Sequence, residues 1–91
     1  MSVPVKVCLG RVLATPSALA QLVQTDIDTA LARHCKGDWG DVPPDDRRAN
    51  DQALIHEARL FSAYQAASGT KFWIITEADR SITTVLLPED Y

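Results

Sequence analysis

Apolar positions concentrate in the last third of the chain, where Phe72–Ile75 and Val85–Leu87 flank the polar stretch Thr76–Thr84. β-Branched and aromatic residues suit a pleated, half-buried surface, and Glu77-Ala78-Asp79-Arg80 has turn composition, so this stretch predicts a two-stranded hairpin. Before it, Arg59 to Tyr64 alternates, with Phe61 and Ala63 on one side and Leu60, Ser62 and Tyr64 on the other. That is a further strand, and Ala67-Ser68-Gly69-Thr70 turns it into the next. Near the start, Val3, Val5, Val7 and Leu9 alternate with Pro4, Lys6 and Cys8, which predicts a first strand ending at a bend on Gly10.

Helical spacing fills the middle. Thr15-Pro16 is a hydroxyl cap followed by proline at the first helical position, and Leu19, Leu22 and Val23 form the expected buried stripe. A second start at Thr25-Asp26 places Ile27, Ala30, Leu31 and His34 on one face, so two short helices are preferred to one bent one. Cys35-Lys36-Gly37 ends them, with glycine where a left-handed cap is wanted. Gly37-Asp38-Trp39-Gly40-Asp41 is a turn around a large aromatic. Pro43-Pro44-Asp45-Asp46 opens the next helix, acids in its first turn, with a thin inner face of Ala49, Ala53 and Leu54 around Asn50. The expected fold is a single α+β domain over residues 1–91: an antiparallel four-stranded sheet, built as strand, two or three helices and a three-strand meander, with helices packed on one face.

Composition narrows the function. Ninety-one residues with 46% hydrophobic and 23% charged side chains suit one folded domain, and dimerisation would help a core this small. The net charge is −3, and the nine Lys and Arg are scattered among twelve acids. Nucleic-acid binders rely on clustered cations, so non-specific DNA or RNA binding is not expected. No run approaches the roughly 20 apolar residues of a membrane span, and Met1–Lys6 lacks a signal-peptide pattern, so the expected address is the cytoplasm, away from any membrane. Cys8 and Cys35 match no metal-ligand spacing and read as reduced, small buried hydrophobes. Asp38, Asp41, Asp45 and Asp46 are interrupted by Pro43 and Pro44 and fit no calcium loop. No metal and no cofactor is expected.

Arg33-His34, Gly37-Asp38-Trp39-Gly40-Asp41, Asp46, Asn50, Trp73, Ile75 to Ser81, Thr83-Thr84 and Leu87-Pro88-Glu89-Asp90-Tyr91 together resemble a family of small proteins labelled "plasmid-related". Its members occur on bacterial plasmids and integrative elements, and the likeness spans about residues 10 to 91. It implies a setting in mobile DNA. The element order also resembles the fold shared by barnase, EndoU, colicin nucleases and RelE-type toxins, in which an open sheet face holds metal-free RNA-cleaving groups.

Two readings follow. The first is a non-catalytic accessory protein of a mobile element that binds a protein partner, as inhibitors of host restriction or CRISPR systems do. Its surface would consist of Asp38, Trp39, Asp41, Asp45, Asp46, Glu77, Asp79, Glu89, Asp90 and Tyr91, with Trp39 the anchor. The alternative is a metal-independent ribonuclease, which needs a base, an acid and a cation for the crowded phosphate. The residue types for that are His34, Arg59, Arg80, Ser62, Thr83, Tyr64 and Tyr91. The ribonuclease resemblance implies His34 as base or acid, Arg80 as phosphate clamp and Thr83 or Tyr91 as phosphate donor. Against it, Glu77 and Asp79 would repel a phosphate, and ordinary structural roles are available: His34 as a helix-end cap, Trp39 as a lid on the core, Arg80 as a partner of Asp79, Glu77 or a C-terminal acid, and Thr83 and Thr84 as strand residues.

Overall fold

Gly10 decides where the first strand lies. Its φ of +63° is left-handed, and a β-carbon there would overlap the carbonyl oxygens of Arg80 and Ser81, so only glycine lets the chain pass this close. Arg11 then donates to Ser81 O at 2.9 Å, and β1 (Arg11–Ala14) runs parallel to β4 (Ile82–Leu86), with Arg11 beside Ile82 and Ala14 beside Val85. The computed structural model describes residues 7–91. Of the alternating segment Val3–Leu9, residues 3–6 lie outside the described residues. Val7, Cys8 and Leu9 are not a strand. Among the described residues the first strand is the four residues that follow Gly10.

Three helices connect β1 to the remaining strands. Thr15 caps α1 (Pro16–Gln21), its Oγ1 accepting from Ala18 N. The helix breaks at Leu22, and α2 (Gln24–Cys35) follows, burying Ile27, Ala30 and His34. The expected stripe on the first helix is only partly right. Ala18 and Leu22 are buried, whereas Leu19 and Val23 are 59% and 60% exposed. A helix of six residues has too little length to turn three large side chains inward.

After the 37–42 turn, α3 (Pro44–His56) buries Asn50 and Ala53, while Ala49 faces solvent. β2 (Leu60–Gln65), β3 (Lys71–Thr76) and β4 then pair antiparallel, giving the order β1-β4-β3-β2. Over the described residues the fold is α+β with a four-stranded sheet and three helices, but the sheet is mixed, which corrects the antiparallel, meander-based expectation. The physical reason is that β1 enters beside β4 after the Gly10 bend and leaves through helices. A long crossover of that kind permits parallel pairing.

Alternation along the strands separates two faces. Leu60, Ser62, Tyr64, Phe72, Ile74, Thr76, Thr83, Val85 and the following Leu87 are buried on the helix side. Ala18, Leu22, Ile27, Ala30, Tyr64, Phe72, Ile74 and Val85 form one cluster; Val7, Trp39, Val42, Ala53 and Leu60 form another. Phe61, Ala63, Trp73, Ile75, Thr84 and Leu86 line the other face.

The β2 edge is closed by two devices. Asn50 Oδ1 accepts from Phe61 N at 3.0 Å while its Nδ2 donates to Phe61 O at 2.6 Å. Two residues on, Ala63 N donates to Trp39 O at 3.0 Å and Asp41 N donates to Ala63 O at 2.7 Å. A side-chain amide and a short parallel bridge thus occupy the outward groups of an edge strand. Asn50→Ala should leave both Phe61 groups unsatisfied and lower stability by about 2 kcal/mol. Urea unfolding checks this, and an unchanged midpoint would mean the edge does not depend on the amide.

Candidate functional site

The helix-side face gathers most of the polar groups that suggested catalysis, and it encloses them. His34 is fully buried. Its Nδ1 lies 2.5 Å from Ser62 Oγ and its Nε2 lies 2.8 Å from Thr76 Oγ1, which is itself 2.8 Å from Thr83 Oγ1. Thr83 Oγ1 is 2.7 Å from Leu9 O, which can only accept, so Thr83 donates there. Proton directions then follow along the chain. Thr76 donates to Thr83, His34 Nε2–H donates to Thr76, and Ser62 donates to Nδ1. This network holds one neutral tautomer. Burial first, then the charge of Arg80, pulls the imidazole from its ordinary 6.5 to about 4. Trp39 sets its ring edge against the imidazole, with centroids 5.6 Å apart at 77°.

The remaining catalytic candidates are dispersed. Arg80, expected as a phosphate clamp, donates through Nη1 to Ala58 O (2.6 Å), Ala78 O (3.1 Å) and Glu77 O (3.2 Å), and through Nη2 to Ala53 O (3.0 Å). It closes the C-terminal end of α3 and the hairpin turn. Tyr64 is buried, donates to Asp38 O at 2.6 Å and lies beneath the Arg33 guanidinium; burial pushes its phenol up to about 12. Tyr91 is 74% exposed and sits on the opposite face from His34 and Thr83. The groups needed for 2′-hydroxyl chemistry therefore do not converge on an accessible cleft.

The proposed acidic surface is also divided. Asp38 takes the Arg33 guanidinium through both oxygens, at 2.7 and 3.2 Å, and that bond is the main reason its carboxyl lies below the usual range. Asp41 follows in the same turn. Asp45 pairs with Arg48 at the start of α3, beside the exposed Asp46. Glu77 and Asp79 belong to the β3–β4 turn, where Asp79 accepts from Ser81 Oγ (2.6 Å) and Ser81 N (3.0 Å). Glu89 and Asp90 lie in the short 3-10 turn Pro88–Asp90, and Asp90 accepts from Ser17 Oγ, Thr15 Oγ1 and Leu87 N at 2.5, 2.6 and 3.0 Å. These acids lie in four segments of the fold, of which the β3–β4 turn and the C-terminal turn meet at Arg59, which bonds both Glu77 and Tyr91.

Trp39 is only 1% exposed, and its Nε1 donates to Asp51 Oδ1 at 3.3 Å, so it is a core residue and cannot be the anchor of a surface. Neither cysteine is fully buried: Cys8 is exposed and Cys35 is half-buried.

What does reach solvent is part of the outer face of the sheet, where Phe61, Ala63 and Trp73 are half-buried while Ile75 and Leu86 are covered. Phe61 and Trp73 meet edge to face with centroids 5.0 Å apart, and Trp73 meets Tyr91 at 5.8 Å. The Tyr91 hydroxyl accepts from Arg59 Nη1 at 3.1 Å, and Arg59 Nη2 reaches Glu77 Oε1 at 3.4 Å. Beside Trp73 lies a cleft of about 380 Å³ lined by Asp41, Ala63, Tyr64, Gln65, Lys71 and Trp73. Phe61, Trp73, Lys71 and Gln65 were not among the sequence-based site residues. The period of two in β2 carried the signal for Phe61, and pairing with β3 then places Trp73 on the same face, opposite the buried Phe72 and Ile74.

Among the described residues, no group of three or more His, Cys, Asp or Glu is placed to hold a metal ion, and no helix is long and apolar enough to cross a membrane. Compared with known proteins, the chain matches no family model, no curated protein and no solved structure.

Proposed function

We propose that this chain is a non-catalytic binding module whose outer sheet face docks a protein partner. The observation that carries this reading is the Phe61–Trp73–Tyr91 aromatic row with Arg59 at its end, set beside a cleft. Trp, Tyr and Arg are the side chains that most often dominate interface energetics, and a cleft beside them can take one side chain of a partner. The burial of His34, Ser62 and Thr83 supports the same reading, since a general base must reach its substrate. Asp41 and Glu77 sit at the rim, where charge governs approach and register more than affinity.

The plasmid-related resemblance implies the class of partner, a host or element protein such as a component of restriction or CRISPR defence. In a pull-down from bacterial host extract, Trp73→Ala and Tyr91→Ala should each reduce capture of the partner about tenfold or more. Asp46→Ala, in the first turn of α3 and in contact with none of the aromatic row, should leave it unchanged. Capture indifferent to both aromatic changes, or RNA cut by the purified wild-type chain, would overturn the reading.

A further inference from the structure

The two edges of the sheet are treated differently. β2 is closed by Asn50 and by the 39–41 bridge, while β1 at the other edge carries the exposed apolar residues Val12 (44%) and Leu13 (42%). Arg11 N donates to Ser81 O and Thr15 N to Val85 O, so in this parallel ladder Arg11, Leu13 and Thr15 face β4. Val12 and Ala14 therefore turn their N–H and C=O outward, and among the described residues no backbone group meets them.

We propose that β1 pairs antiparallel with β1 of a second copy of this chain, joining two sheets into one across a two-fold axis at Leu13. Two-fold symmetry requires antiparallel edges, and partners on the same face must have the same alternation. Of the registers that oppose outward groups, the one centred on Leu13 uses both outward residues of each strand: Val12 exchanges both hydrogen bonds with Ala14 of the second copy, Leu13 faces Leu13, and Arg11 faces Thr15.

Charge complements this register. Arg11 is exposed and has no ion pair or side-chain hydrogen bond among the described residues. Across the axis it meets Thr15, whose hydroxyl is held 2.6 Å from the Asp90 carboxylate. Each Arg11 is thus brought to an acid of the other copy, twice per dimer. A four-residue strand makes this a small interface, suited to association in the micromolar range or weaker.

The register can be read by cross-linking. Directly opposed residues outside the hydrogen-bonded pairs have Cα atoms about 4.5 Å apart, within disulfide reach. In a Cys8→Ser background, Leu13→Cys should oxidise to a covalent dimer, while Val12→Cys, which faces Ala14, should not. The Cys8→Ser chain alone should stay uncrosslinked. By sedimentation equilibrium from low micromolar to millimolar concentration, wild type should dimerise, and Arg11→Glu should weaken the dimer about tenfold or more. Circular dichroism confirms that each variant is folded. A wild-type chain that stays monomeric at millimolar concentration overturns the proposal. So does Leu13→Cys that fails to cross-link, that cross-links no faster than Val12→Cys, or that traps a different protein.

Discussion

His34→Ala is expected to lower stability by about 3–5 kcal/mol, enough to unfold much of a small domain at ambient temperature. The change opens a cavity beside Trp39, removes the acceptor of the buried Ser62 hydroxyl and takes from buried Thr76 the donor that the ring supplies, leaving Thr76 only its bond to Thr83. Acid should act through the same site. In the folded chain the imidazole titrates at about 4, against 6.5 ordinarily, so between those values the unfolded chain binds a proton that the folded one does not. Stability is therefore full above about pH 6.5 and falls with pH until about 4, by roughly 3 kcal/mol in all. The carboxyls held low, at Asp38, Asp79 and Asp90, lose their contribution only below the ordinary 3.8, outside this window. Urea unfolding at stepped pH values tests the sign. A midpoint that does not move between pH 6.5 and 4.5 would mean that the ring is not held neutral. In His34→Gln, studied at whatever temperature keeps it folded, the slope in that interval should largely vanish.

The second large effect is expected at Gly40. Its φ is +74°, and a β-carbon there would overlap the Ala63 carbonyl oxygen and lie 2.8 Å from the Tyr64 ring. Gly40→Ala must therefore push the 39–41 segment away from β2, losing the two bridge hydrogen bonds and adding backbone strain, about 3–4 kcal/mol together. Trp39 should become solvated in the process, shifting its emission to the red. Gly69 is the control, with the same handedness at φ +94° but only Gln65 Nε2 within reach, at 3.8 Å. Gly69→Ala should cost only about 1–2 kcal/mol. Equal losses at the two glycines would argue against close approach as the cause.

Local chemistry was legible in the sequence, and pairing at a distance was not. The Thr15-Pro16 start, the break before the second helix, the stop at Gly37 and the alternation of β2 all rest on neighbours within a few positions. β1 was missed because Val3–Leu9 shows the better period of two, while Arg-Val-Leu-Ala shows none and becomes a strand only through β4, some seventy residues downstream. By type and turn setting, Trp39 reads as either a lid on the core or a partner contact, and Arg80 as either a phosphate clamp or a partner of nearby acids. Nothing local announces that Trp39 turns in against His34, or that Arg80 is drawn to the carbonyls of Ala53 and Ala58. On the outer face the signal was present in the alternation of β2 alone, since the apolar run of β3 does not say which side each residue takes. The acids drew the first reading instead because their number says nothing about their distribution over the surface.

The placing of the two indoles, Trp39 inside against an imidazole and Trp73 outside between Phe61 and Tyr91, gives the molecule a pair of built-in optical reporters. A soluble quencher reaches one and is shielded from the other, so melting of the interior and occupation of the outer face register as separate fluorescence signals in an unlabelled sample.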